Sequence, residues 1–199
     1  MKKIVKVTAL LLVAAAMFAG CKKDADEDPL AGVDTGVLFS SDDVSVAVDP
    51  ADITFADGDW AATIKAEYEE ESPYTGPVYF TEIERAEFTV SGGDFTFTKG
   101  VTTMIEKGSF PEGALTDEMI EAAKAQGVII SGNSFVQVEV EEATAEDLAN
   151  TDFYINRLNQ VVNSVPVKTN EGKTKYFGET TITNNYGETA KVTVYAMKK

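Results

Sequence analysis

From Val37 onward the dominant pattern along the chain is alternation. Val44, Val46 and Val48 alternate with Ser45 and Ala47. Ile64, Ala66 and Tyr68 alternate with Lys65 and Glu67, and Val136, Val138 and Val140 with Gln137 and Glu139. A period of two places every second side chain on the same face, so each set predicts a strand with one buried and one wet side. The clearest element is AEFTVSGGDFTFTKG, Ala86 to Gly100. Gly92 and Gly93 supply the two positive-φ residues of a tight hairpin turn. Counting outward, Ser91 opposes Asp94, Val90 opposes Phe95, Thr89 opposes Thr96 and Phe88 opposes Phe97. The aromatic and aliphatic residues then fall on one face and the threonines on the other, so register and pattern agree. A second hairpin is expected within GETTITNNYGETAKVTVYAMKK, with Asn184, Asn185 and Gly187 at its turn.

Two stretches carry helical spacing. In LTDEMIEAAKAQG, Thr116 is a candidate N-cap, Asp117 and Glu118 complement the helix dipole, and Gly127 is a candidate stop. In TAEDLANTDFYINRLNQVVNSVP, the residues Leu148, Ile155, Leu158, Val161, Val162 and Val165 form an apolar stripe. Thr144 with Asp147, or Thr151, would cap it, and Pro166 follows. Strands dominate, connections are local and no βαβ alternation occurs. The expected fold is mainly β (α+β in a wider description): an antiparallel meander barrel or sandwich with about two capping helices. It would occupy residues 37–199 as a single domain.

The N-terminus reads differently. Lys2, Lys3 and Lys6 precede an apolar run from Val7 to Phe18, and the small residues Ala19 and Gly20 precede Cys21, the sole cysteine. This is a secretory signal layout, and the run is short for a membrane span. Phe18-Ala19-Gly20-Cys21 resembles the lipobox of bacterial lipoproteins, with Phe where Leu is usual. The resemblance implies cleavage between Gly20 and Cys21 and a lipid on the Cys21 thiol. Two or three acyl chains, at about 0.8 kcal/mol per buried methylene, would make that attachment effectively permanent. An unpaired cysteine in an exported protein is otherwise hard to explain. Residues 1–20 would be the signal peptide and residues 21–36 a lipidated acidic tether, rich in Asp and broken by Pro29, Gly32 and Gly36. CKKDADED resembles the acidic export signal of surface lipoproteins in some Gram-negative groups, notably Bacteroidetes. The implied address is the bacterial cell envelope, at the outer membrane or cell surface, with a periplasm-facing anchor as the alternative. Asp24, Asp26 and Asp28 have the spacing of an EF-hand start, but Pro29 and Thr35 stand where that loop needs Gly and Glu.

Charge narrows the partners. The chain has 17 basic and 33 acidic residues, a net charge of −16. Removing residues 1–20 takes three lysines and no acid, leaving 14 basic residues against 33 acids, or −19. Such a surface repels nucleic acid. No histidine occurs. With the thiol assigned to lipid, zinc, copper and iron–sulfur ligation and Ser–His or Cys–His chemistry lack their donors. No cofactor is expected.

Four groups of residues are candidates for chemistry. Gly58-Asp59-Trp60 resembles the Gly-x-Trp motif of lipocalins, and Thr151-Asp152-Phe153 a later Thr-Asp motif of that family. The resemblance implies a barrel with a cavity for a small apolar ligand, although here the Thr-Asp pair enters a predicted helix. Asp57 and Asp59 flank Gly58 and offer oxygen ligands for calcium, or simply form a turn. Glu69, Glu70 and Glu71 read as a solvated loop, because glycosidase chemistry needs one acid opposite another in a cleft. Tyr74, Tyr79 and Tyr154 could serve a sugar or protein contact. The leading expectation is a lipid-anchored envelope protein, held to the membrane through Cys21, whose domain binds a protein or glycan without catalysis. The alternative is a lipocalin-like carrier of a small apolar ligand.

Overall fold

The protein is described by a computed structural model covering residues 30–183 and 187–199. Gly20, Cys21, Asn184 and Asn185 lie outside the described residues. Among the described residues there are nine strands: β1 (Val46–Val48), β2 (Gly58–Ser72), β3 (Gly76–Ser91), β4 (Asp94–Ser109), β5 (Ile129–Ser131), β6 (Ser134–Glu142), β7 (Val167–Thr169), β8 (Lys175–Thr183) and β9 (Thr189–Lys198). The α-helices among them are α1 (Asp117–Ala125), α2 (Ala145–Ala149) and α3 (Thr151–Val162). All strands pair antiparallel in one sheet, in the order β1-β7-β8-β9-β2-β3-β4-β6-β5. The expected mainly β, antiparallel fold with capping helices is what forms. The sheet stays open, neither closed into a barrel nor split into the two layers of a sandwich. Its end strands, β1 and β5, have three residues each and do not pair with one another. A helix covers the apolar face that barrel closure would otherwise bury.

The Gly92-Gly93 hairpin has the expected register down to Phe88 opposite Phe97. Both glycines have positive φ, 61° and 92°. Beyond Phe88 the register shifts by one: Glu87 pairs with Lys99, and Thr98 is the extra residue, its hydroxyl donating to the Glu87 carbonyl at 3.2 Å. The bulge keeps Phe97 on the core face while Gly100, Thr102 and Met104 continue that face further along. The C-terminal hairpin also forms, with Thr183 opposite Thr189.

Thr116 caps α1, accepting from the Met119 N–H at 3.2 Å, and Gly127 follows with φ 82°. The second helical stretch is two helices rather than one. Thr144 and Asp147 form a complete capping box on α2, and the chain breaks at Asn150, whose side chain accepts from the Phe153 N–H to start α3. Thr151 is therefore the first helical residue, not the cap. Two consecutive sets of cap-forming residues offered two starts, and both were used.

One face of the sheet packs on α3. Trp60, Ala62 and Ile64 of β2, Phe88 and Val90 of β3, Phe97 of β4, and Val192, Val194 and Ala196 of β9 form one buried cluster with Leu158, Val161 and Val162 of α3. Each fully buried Val, Leu, Ile or Phe side chain here contributes roughly 1.5–3 kcal/mol, and each Ala less. The opposite face is crossed by residues 34–45. Phe39 packs edge-on against Tyr195 at 5.4 Å, and Val44 joins them. Asp34 pairs with Arg85, and Asp43 with Lys175 at 2.6 Å. Gly36, at φ 75°, passes so close that a Cβ would meet the Thr63 and Ile83 methyls at 2.8 Å. Thus Asp34 to Gly36, read from sequence as the end of the tether, touch the sheet.

Candidate functional site

Trp60 settles what fills the centre. It is 0% exposed, edge-on to Phe55 at 4.9 Å and stacked on Tyr176 at 6.1 Å. Its indole N–H donates to the Ala56 carbonyl at 2.8 Å, so its one polar atom is satisfied. It is a core residue of an open sheet, unlike the barrel-closing Trp that the lipocalin resemblance implies. Thr151-Asp152 opens α3 and joins no strands.

Two clefts flank α3. One, of about 450 Å³, opens between α2, α3 and the middle of β3 and β4. Its floor is Ala62, Phe88 and Phe97, and Tyr154 stacks on Phe97 at 4.7 Å. Gly100 makes room for this arrangement, since a Cβ there would meet Ala143 and the Tyr154 hydroxyl at 2.9 Å. Arg157 of α3 forks onto Glu84 of β3, its Nε 3.1 Å from Oε2 and Nη2 2.6 Å from Oε1. The carboxylate holds the guanidinium pKa up against partial burial. Asp147, on the helical wall, accepts from the Thr144 N–H and hydroxyl at 2.8 and 2.6 Å, which lowers its pKa. The second cleft, of about 500 Å³, is mainly apolar, lined by Ile53, Phe55, Val90, Phe95, Ile155 and Val162 with Asn159 and Asn163 beside them.

Beyond the first cleft, the same sheet face turns acidic. By register, Glu70 of β2, Glu82 and Glu84 of β3, Glu106 of β4, and Glu139 and Glu141 of β6 share it. Burial, then the neighbouring Glu84, raises the Glu82 pKa, partly offset by Arg157. Burial, then Glu139 and Glu70, raises Glu106. Tyr68, stacked on Phe80 at 5.1 Å, is pushed up to about 12 by burial and by Glu82, Glu70 and Glu106. These shifts share one origin: carboxylates crowded on a half-dry surface with few cations among them.

The remaining sequence candidates are scattered. Asp57 accepts from the Gly92 N–H at 3.0 Å and Asp59 from the Thr89 hydroxyl at 2.6 Å, so both brace the β3–β4 turn. Among the described residues, no three acids are grouped to hold a metal ion. Glu69 to Glu71 are solvated as expected, but on the end of β2 instead of in a loop. Tyr74 and Tyr79 are 69% and 52% exposed, near the β2–β3 turn, while Tyr154 lies in the cleft. Sequence reading did not find the Arg157–Glu84 fork. Arg157 stands out as the sole basic residue of α3, but its partner is 73 positions away. No protein-family model matches the chain, and neither a curated protein nor a solved structure does so.

Proposed function

We propose that the protein is a lipid-anchored component of a bacterial envelope whose domain binds a partner without catalysing a reaction. The anchor rests on Phe18-Ala19-Gly20-Cys21. The observation that carries the binding reading is the filled centre of the fold: Trp60 is wholly buried, and among the described residues the end strands β1 and β5 do not pair to close the sheet into a barrel. What the domain offers is therefore its outer surface and the clefts beside α3. The clefts give little support to acid–base chemistry. On the helical wall of the first cleft, Asp147 is committed to its cap and Arg157 to Glu84. The other carboxylates lining the cleft, Glu82, Glu141 and Glu142, belong to the sheet. An acid facing a base across the gap, as hydrolysis of a glycoside would need, has no partner on the helical side.

The test is metabolic labelling with an alkyne fatty acid, followed by fractionation and protease treatment of intact cells. Wild type should carry label and sediment with membranes, and Cys21→Ser should carry none. An unlabelled wild-type protein would remove the anchor. For the domain, turnover of a glycoside, ester or peptide substrate that a single Glu82→Gln change abolishes, with the fold intact, would replace the binding reading with an enzymatic one.

A further inference from the structure

β6 pairs with β4 along its whole length, from Ser134 to Glu142, but β5 covers its other side only as far as Val136. Which backbone groups face outward follows from the turn. Ser131 and Ser134 close a two-residue hairpin through Gly132 (φ 60°) and Asn133. The closing pair of such a turn exchanges its N–H and C=O groups, so even-numbered residues of β6 point theirs towards β5. Consistent with this, the N–H of Ala143, an odd position, donates to the Gly100 carbonyl of β4 at 2.9 Å. Past Val136, the outward N–H and C=O groups of Val138, Val140 and Glu142 have no strand beside them among the described residues.

The side chains along this edge are sorted by chemistry. Val138 and Val140 share the face of Ile105 and Thr103, and Val140 is 50% exposed. Glu139 and Glu141 share the acidic face with Glu106. Sheet edges are commonly blocked by lysine, proline or a bulge. This edge has none of these, only carboxylates. Carboxylates repel a second copy, because pairing two such edges would oppose Glu to Glu in a chain of net charge −16. They attract a strand of the opposite sign.

We propose that the open edge of β6 accepts an extended segment of a partner protein as a tenth strand, and that the segment alternates basic and apolar residues. Its main chain would meet the outward groups of Val138, Val140 and Glu142. Its basic residues would lie beside Glu139 and Glu141, and its apolar residues beside Val138 and Val140. This rests on the reading of the domain as a binding module and names its partner's chemistry.

The test titrates labelled peptides into the full-length protein in detergent and follows fluorescence anisotropy. One peptide alternates Lys and Val, a second has the same residues in two blocks, and a third alternates Glu and Val. The alternating Lys–Val peptide should bind roughly tenfold more tightly than its block isomer, because only alternation matches the two faces of the edge. Val140→Pro removes an outward N–H that no ladder bond uses, and proline is tolerated at such edge positions. It should weaken binding by roughly tenfold without moving the thermal midpoint. Should that variant not fold, Glu139→Lys with Glu141→Lys, both at exposed sites, should switch preference to the Glu–Val peptide. Equal binding of the two isomers, no binding of any peptide, or unchanged binding in both variants overturns the proposal. Fatty-acid labelling of Cys21 on the same preparation separates the two readings: a labelled protein that ignores the peptides loses the edge site alone, and an unlabelled one that binds them loses only the anchor.

Discussion

The long strands β2, β3 and β4 have a near end, at Trp60, Phe88 and Phe97, and a far end, at Tyr68, Phe80 and Glu106. On the same sheet face the near end is a dry aromatic cluster and the far end a half-wet field of carboxylates. Length accounts for the difference. The 15 residues of β2 extend about 50 Å at the usual rise of a strand. The 12 residues of α3 reach about 18 Å. The helix covers part of the face, and residues outside its reach must live with water. There Ala66, Tyr68 and Glu70 continue the series begun by Trp60, Ala62 and Ile64. A strand can thus be core at one end and surface at the other without any break in its ladder.

The sharpest way to break this contrast is to cut into both ends. Trp60→Ala should lower the unfolding free energy by about 3–5 kcal/mol, the cost of a large aromatic cavity. Tyr68→Ala, at the half-exposed far end, should cost less than half as much. Equal shifts in denaturant midpoint would mean that the far end is as much core as the near one.

A smaller effect tests the near-end turn. Gly92 has φ 61° and no atom within 4 Å of a built Cβ, so a side chain there meets no clash and only backbone strain. Gly92→Val should cost about 1–3 kcal/mol for placing a β-branched residue at positive φ. An unchanged midpoint would remove the turn geometry, and with it the register that sorts Phe88 and Phe97 to the core.

The far end can be sharpened by pH. Glu82 and Glu106 have pKa values raised above the ordinary carboxylate value of 4.5. The folded state therefore binds protons more tightly than the unfolded one. Their ionisation opposes folding as pH rises from the unfolded pKa through the raised one, and it favours nothing below. Replacing both with Gln should raise the thermal midpoint at pH 7, and the gain should shrink as pH falls towards 4.5. Asp34 and Glu87, at the near end, run the other way. Burial works to raise the first, but the Gly36 N–H and Arg85 together bring it below its ordinary value, and the hydrogen bond from Lys199 lowers the second. Their contribution is present above the ordinary carboxylate range and lost as pH falls through their lowered values. A gain in the double Gln variant that grows on acidification would reverse the assigned direction.

The smallest effect concerns Thr63, under the crossing segment on the opposite face. Its hydroxyl is buried without a hydrogen-bond partner among the described residues, and the residue is 1% exposed. Thr63→Val keeps the shape and removes the orphan, so stability should stay level or rise by up to about 1 kcal/mol. A loss would show that the hydroxyl has a partner, such as a water.

What could be read from sequence was what a few neighbouring residues settle between them. Gly92-Gly93 and the alternation around it determined a hairpin residue by residue, because positive φ and pleat are local properties. Thr116 determined the start of α1 in the same way. The motif ending in Cys21 is local too, and it determines an expectation about the envelope that no part of the folded domain touches. Tertiary structure decided everything that needed distant segments. It placed β9 beside β2, drew Asp34 to Arg85 and Arg157 to Glu84, and closed the apolar face with a helix instead of a barrel seam. It also left β5 too short to cover β6. Alternation in Val136, Val138 and Val140 announced a strand but not that its outer side would be bare. Pairing depends on which segments the chain can bring alongside, and hydrophobic pattern alone is the same for a central strand's exposed face and an edge.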